Sequence, residues 1–169
     1  SAELALATSV RFFKESGVMA VKLEGAHIET VKKLVTSGIP VMGHLGLTPQ
    51  SMHQLGGYKV QGRTDGDVIV EAAKALQAAG AFAIVLELVP AELAARITAE
   101  LTIPTIGIGA GVNCDAQVLV WTDLMGITKK APKLAKAYRN LRAEMLAATA
   151  EFAADVRSGQ FPTEAQTFN

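Results

Sequence analysis

The chain has 169 residues, half of them hydrophobic and only 5% aromatic, with 16 basic and 16 acidic side chains. That length suffices for one domain with a real core, and the aliphatic bias suits helices on parallel strands, which are buried on both faces. Zero formal charge and scattered basic residues argue against a nucleic-acid partner, the single Cys114 excludes an internal disulfide, and no apolar run reaches the ~18 residues of a membrane span. A cytoplasmic protein acting on neither nucleic acid nor membrane is the expectation.

In chain order, one phrase recurs: a helix ends at a small residue, a short apolar strand follows, and the strand ends in a polar residue or glycine. It first reads Gly17-Val18-Met19-Ala20-Val21-Lys22-Leu23-Glu24-Gly25, then Gly38-Ile39-Pro40-Val41-Met42-Gly43-His44. The later copies are Gly80-Ala81-Phe82-Ala83-Ile84-Val85-Leu86-Glu87 and Ile103-Pro104-Thr105-Ile106-Gly107-Ile108-Gly109. Gly17, Gly38 and Gly80 fall where a helix C′ residue needs positive φ. Between the strands, Ile28, Val31, Leu34 and Val35 form one helical stripe, and Val68, Ile69, Ala72, Ala73 and Leu76 another. Pro90 marks the first turn of a further helix. Gln117 to Trp121 reads as a weaker fifth strand, and Ala131 to Val156 as a long helix, broken at most once, under which Trp121 packs. The basic stretch Lys129 to Arg142 reads as the solvated face of that helix. Residues 1–169 are thus read as a single α/β domain with parallel strands and right-handed crossovers. Both an open doubly wound sheet and a (β/α)8 barrel fit, although no G-x-G-x-x-G opens a helix after the first strand.

In either architecture ligands bind at the C-terminal ends of strands, so polar residues there carry the functional signal. Lys22 and Glu24 are two apart and leave one face of their strand. Such charges in an aliphatic strand read either as a buried ion pair or as a carboxylate ligand for a hard cation beside an ammonium for an anionic substrate. Glu87, between Leu86 and Leu88, is flanked by apolar surface that disfavours its charge and suits it to accept a proton from carbon. The alternative is an N-cap for the helix at Pro90. His44, flanked by Gly43 and Gly46, reads equally as a core histidine or as a site residue approached closely by something else. His27 and His53 read as surface residues, and Cys114 as packing. The glycine-rich segment Leu55 to Arg63 reads as a binding loop or lid.

Five runs share order and spacing with one family. They are Val21-Lys22-Leu23-Glu24-Gly25, Val41-Met42-Gly43-His44-Leu45-Gly46-Leu47-Thr48-Pro49-Gln50-Ser51, Gly56-Gly57-Tyr58-Lys59-Val60-Gln61-Gly62-Arg63, Leu86-Glu87-Leu88-Val89-Pro90 and Gly107-Ile108-Gly109-Ala110-Gly111. In these the chain resembles the ketopantoate hydroxymethyltransferases. The resemblance implies a (β/α)8 TIM-type barrel of which this chain supplies roughly the last five strands and the C-terminal helices. It implies transfer of a hydroxymethyl group from 5,10-methylenetetrahydrofolate to 3-methyl-2-oxobutanoate, giving 2-dehydropantoate for pantothenate synthesis through a metal-stabilised enolate. Glu87 then matches the catalytic base and Glu24 a carboxylate ligand of Mg²⁺ or another divalent cation. Lys22 and His44 match substrate-binding residues, and a homo-oligomer is implied. The family's remaining metal-site aspartates and a neighbouring serine lie on β/α units ahead of Ser1, so activity is expected to require that part. Ala116 stands where the family has glycine, and Ala165-Gln166-Thr167 where it has Glu-His-Ser. The alternatives are a related magnesium-dependent barrel enzyme acting on a 2-oxo acid or phosphoenolpyruvate, from which the Tyr58 to Arg63 loop distinguishes it, or an inactive structural piece.

Overall fold

The structure is a computed structural model that describes residues 1–168 and divides the chain into two compact units, Ser1–Val118 and Leu119–Asn169. In the first, five parallel strands form one sheet in the order β1-β2-β3-β4-β5. They are β1 (Val21–Glu24), β2 (Val41–Gly46), β3 (Ala83–Glu87), β4 (Thr105–Ile108) and β5 (Ala116–Gln117). The connecting helices are α2 (Ile28–Thr36), α3 (Gly66–Ala78) and α4 (Ala91–Glu100), preceded by α1 (Ala2–Ser16). The expected helix-end glycines hold φ of 68° at Gly17, 83° at Gly38 and 97° at Gly80.

Alternation along the strands decides which face meets the helices. Val41, Leu45, Ile84 and Leu86 join Val31 and Leu34 of α2, Val70, Ala73 and Leu76 of α3, and Ala94 and Ile97 of α4 in one buried cluster. Gly43 belongs to the same face, since a Cβ there would meet Leu76 of α3 and Ile84 of β3. Leu6 and Phe13 of α1 pack against this cluster too. A doubly wound sheet places helices on both faces and reverses its strand order at a switch point. Here the order runs in one direction and the core cluster lies on one face, so the doubly wound alternative does not describe this unit. The sheet is open, with β1 and β5 as its edges. Ion pairs of Lys74 with Glu100 (2.5 Å) and Arg96 with Asp67 (2.6 Å) link α3 to α4, at exposed sites where such pairs add little.

At the start of β4, the Asp115 carboxylate accepts hydrogen bonds from the Thr105 amide (2.8 Å) and hydroxyl (3.0 Å), tying the loop before β5 to its neighbour. These bonds, the backbone one foremost, hold the Asp115 carboxyl below the usual aspartate range. A depressed folded-state pKa stabilises the fold above the unfolded value of about 3.9, and the contribution disappears as pH falls through the folded value. Asp115→Asn should therefore lower the melting temperature at neutral pH and narrow its gap to the native protein as pH drops below about 4. Parallel melting curves for the two proteins across that range would contradict the assignment.

The second unit holds α5 (Trp121–Leu124) and α6 (Leu141–Ser158). Three expectations are corrected here. The fifth strand is only Ala116–Gln117, because Val118 and Val120, which look strand-forming, are about half exposed and Val120 instead precedes α5. Trp121 is 63% exposed and begins α5, so it does not pack under a long helix. The long helix starts at Leu141 rather than Ala131: Pro132 breaks the earlier pattern, and the Asn140 side chain caps α6 by accepting from the Ala143 amide at 3.3 Å. The basic residues from Lys129 to Arg139 accordingly lie on irregular backbone ahead of that helix. No described helix is long and apolar enough to cross a membrane.

Candidate active site

Strand register places the polar residues on the sheet face opposite the core. Glu24 pairs with His44, and Gly46 with Glu87, so Lys22, Glu24, His44 and Glu87 share that face at the C-terminal ends of β1, β2 and β3. Three of the four converge. His44 is 1% exposed and lies between two carboxylates, with Nδ1 3.8 Å from Glu24 Oε1 and Nε2 3.1 Å from Glu87 Oε2. Neither contact has hydrogen-bond geometry, which leaves both buried ring nitrogens without a hydrogen-bond partner. The ring therefore points its two nitrogens at carboxylates on neighbouring strands, one on either side.

The Glu24 side chain is 15% exposed, and its other oxygen, Oε2, accepts from the Gln50 amide at 3.0 Å. Gln50 lies in a short 3-10 turn (Pro49–Ser51) whose leading amides have no partner within the turn. This donor was not among the expected site residues, although Thr48-Pro49, a helix-opening pair, was the signal that could have found it. Glu87 is 13% exposed and does not cap a helix: α4 begins at Ala91 with no side-chain cap.

Lys22 departs from expectation. Both sequence readings assumed a charge costly to bury, yet Lys22 is exposed and forms no ion pair among the described residues. It lies on the edge strand, in a groove that α1 lines with Leu4 and Phe12. The burial argument therefore fails for Lys22 and holds for Glu24. His27 and His53 are exposed as expected, and Cys114 packs against the core.

The close approach expected at Gly43 and Gly46 comes from the protein itself. Gly46 has φ 90°, and a Cβ there would collide with the Glu87 carbonyl oxygen and press on Val89. The Leu47 amide donates to that same oxygen at 2.8 Å. The next residue, Leu88, is the one non-glycine with positive φ (47°) among the described residues, a conformation costing about 1–2 kcal/mol for an L-residue. Nothing in the sequence marks it, since leucine has no preference for that region. The far end of the Leu55 to Arg63 loop is fixed here as well, with the Gln61 amide donating to Leu88 O at 2.9 Å.

No three His, Cys, Asp or Glu side chains among the described residues form a group able to hold a metal ion. Glu24 offers one hard oxygen donor, and Mg²⁺ sites use one or two carboxylates completed by water and substrate oxygens. Glu24 therefore suits a part of such a site.

A parallel α/β sheet with its core on one face and clustered acid and imidazole groups at the strand C-termini has the layout of an α/β enzyme. Residues 1–164 match the family described as ketopantoate hydroxymethyltransferase, and the chain belongs to that family. Relatives named 3-methyl-2-oxobutanoate hydroxymethyltransferase include one from Acidothermus cellulolyticus, 58% identical over 97% of this chain and 62% of the relative. Others come from Saccharopolyspora erythraea (55% identical over 99% of this chain and 59% of the relative) and Rippkaea orientalis (55%, over 94% and 63%). The chain thus spans about three-fifths of their length. A crystal structure titled Amycolatopsis orientalis BexX/CysO complex overlaps 96% of this chain and 67% of its own, with TM-score 0.52 and 14% identity, a likeness of fold alone.

Proposed function

We propose that these residues form part of a 3-methyl-2-oxobutanoate hydroxymethyltransferase, in which Glu87 removes the C3 proton of the keto acid. The observation that carries this is the convergence of Glu24, His44 and Glu87 at adjacent strand ends in a chain of this family. Glu87 is only 13% exposed, so a carboxylate there competes little with bulk water for a carbon-bound proton. Buried His44 lies between the two carboxylates, with Nε2 facing Glu87 and Nδ1 facing Glu24. Exposed Lys22 would offer its ammonium to the substrate carboxylate.

Mg²⁺ or a similar divalent cation, held in part by Glu24, would supply positive charge at the keto-acid oxygens. Its other protein donors would come from residues that the longer relatives possess. Once the C3 proton is on Glu87, the electron pair left at C3 forms a bond to the one-carbon unit of 5,10-methylenetetrahydrofolate. Both carbon–nitrogen bonds that join this carbon to the folate break, and water supplies the hydroxyl. The two freed nitrogens take up the proton held by Glu87 and one from that water, and 2-dehydropantoate and tetrahydrofolate result. The complete protein on this reading closes a (β/α)8 barrel, works in the cytoplasm and assembles as a homo-oligomer.

The test is folate-independent. A protein of the relatives' full length carrying this chain, given Mg²⁺ and 3-methyl-2-oxobutanoate in D₂O, should exchange the C3 proton for deuterium as followed by proton NMR. Exchange no faster than in buffer with Mg²⁺ alone would overturn the reading.

A further inference from the structure

We infer that Leu88 is a positioning residue: its left-handed backbone, clamped from three sides, aims Glu87 at His44. The inference rests on the reading of Glu87 as the base. Strained backbone persists only where its surroundings over-determine it, and here three separate segments do so. The Leu88 amide donates to Ile108 O on β4 at 2.9 Å. The Leu88 carbonyl accepts from the Gln61 amide of the glycine-rich loop at 2.9 Å, and the carbonyl just before it, that of Glu87, accepts from Leu47 beyond β2 at 2.8 Å. Gly46 leaves room for that last carbonyl, because any Cβ would occupy its place.

Simpler reasons for the turn account for less. It does not serve a helix cap, as α4 opens three residues further on at Ala91 with no side-chain cap hydrogen bond. Nor does it hide Leu88, which is only partly buried. It does end β3 abruptly at Glu87, so that the carboxylate stops 3.1 Å from His44 Nε2 instead of the chain running on past it. Two of the three clamps come from the loops after β2, so the placement of the base depends on segments distant in sequence.

The test reads the contact itself. In the ¹⁵N-labelled chain at one fixed pH, the His44 Nε2 resonance reports the neighbouring carboxylate, and Glu87→Gln should shift it. Leu88→Val, β-branched and poorly suited to positive φ, should shift it in the same sense. Leu88→Asn, which tolerates the left-handed region, should leave it at the native position. Gln61→Pro removes one clamp from a loop outside the core, and it carries the same expectation as Leu88→Val if that variant does not fold. A turn that merely buries Val89 would not move the resonance. A folded Leu88→Val or Gln61→Pro chain with an unshifted His44 signal, beside a shifted Glu87→Gln, would overturn the inference. In the full-length protein Leu88→Val should lower kcat for C3 proton exchange about 10²-fold with KM unchanged. If that protein shows no exchange at all, the role of Glu87 as base fails, while the resonance comparison still decides whether Leu88 positions it.

Discussion

Glu87→Gln in a full-length protein should slow removal of the C3 proton from 3-methyl-2-oxobutanoate about 10²- to 10⁴-fold, the range a positioned general base contributes. The substitution keeps the size of the side chain and abolishes its capacity to accept a proton. Glu87 is on β3 and Glu24 on β1, with His44 of β2 between them, so the change should spare the affinity for a divalent cation. Mn²⁺ binding followed by electron paramagnetic resonance beside the deuterium-exchange rate separates the two effects. A rate within a few-fold of the native one would show that another group is the base.

Glu24→Gln should do the reverse. It removes the acidic oxygen donor that the proposed metal site takes from this chain, while the Gln50 amide keeps an oxygen to bond. Loss even of an outer-shell partner commonly weakens a metal site 10- to 100-fold, so removal of a ligand should weaken Mn²⁺ binding by at least about 10-fold. Exchange activity should return in part at high metal concentration, which it cannot do for Glu87→Gln. An unaltered binding curve would place the metal elsewhere and leave Glu24 as a structural partner of Gln50.

The fold was legible where periodicity and punctuation agree. Apolar runs ending at Glu24, His44 and Glu87, with glycines before them, define parallel strands, and stripes such as Val31 and Leu34 define the helices that cover one face. What the pattern left open was the sheet's wrapping, since each strand–helix phrase looks alike in a barrel and in a doubly wound sheet. Within these five strands the order runs one way and the core lies on one face, features that a doubly wound sheet does not share. Legibility failed after residue 117, where Val118 and Val120 carry β-branched side chains without a buried face to fill. It failed again over residues 131–140, where helical spacing is overruled by Pro132 and Asn140.

The site was legible as a set of residue types at strand ends, and the structure brings Glu24, His44 and Glu87 together as a group. Lys22 is exposed in this chain, so the assumption that a charged strand residue is enclosed does not describe it. The backbone features that fix Glu87 could not be read at all. Positive φ at Leu88 and the clearance at Gly46 arise from contacts among β2, β3, β4 and two loops. Residue propensity carries no trace of such contacts; only the glycines around His44 hinted that something passes close by.

The most direct measurement of the central claim is product formation. A full-length protein containing this chain, supplied with 5,10-methylenetetrahydrofolate, 3-methyl-2-oxobutanoate and Mg²⁺, should release 2-dehydropantoate detectable by mass spectrometry, and Glu87→Gln should suppress it. Turnover of phosphoenolpyruvate or another 2-oxo acid in its place, with no one-carbon transfer from the folate, would contradict the account.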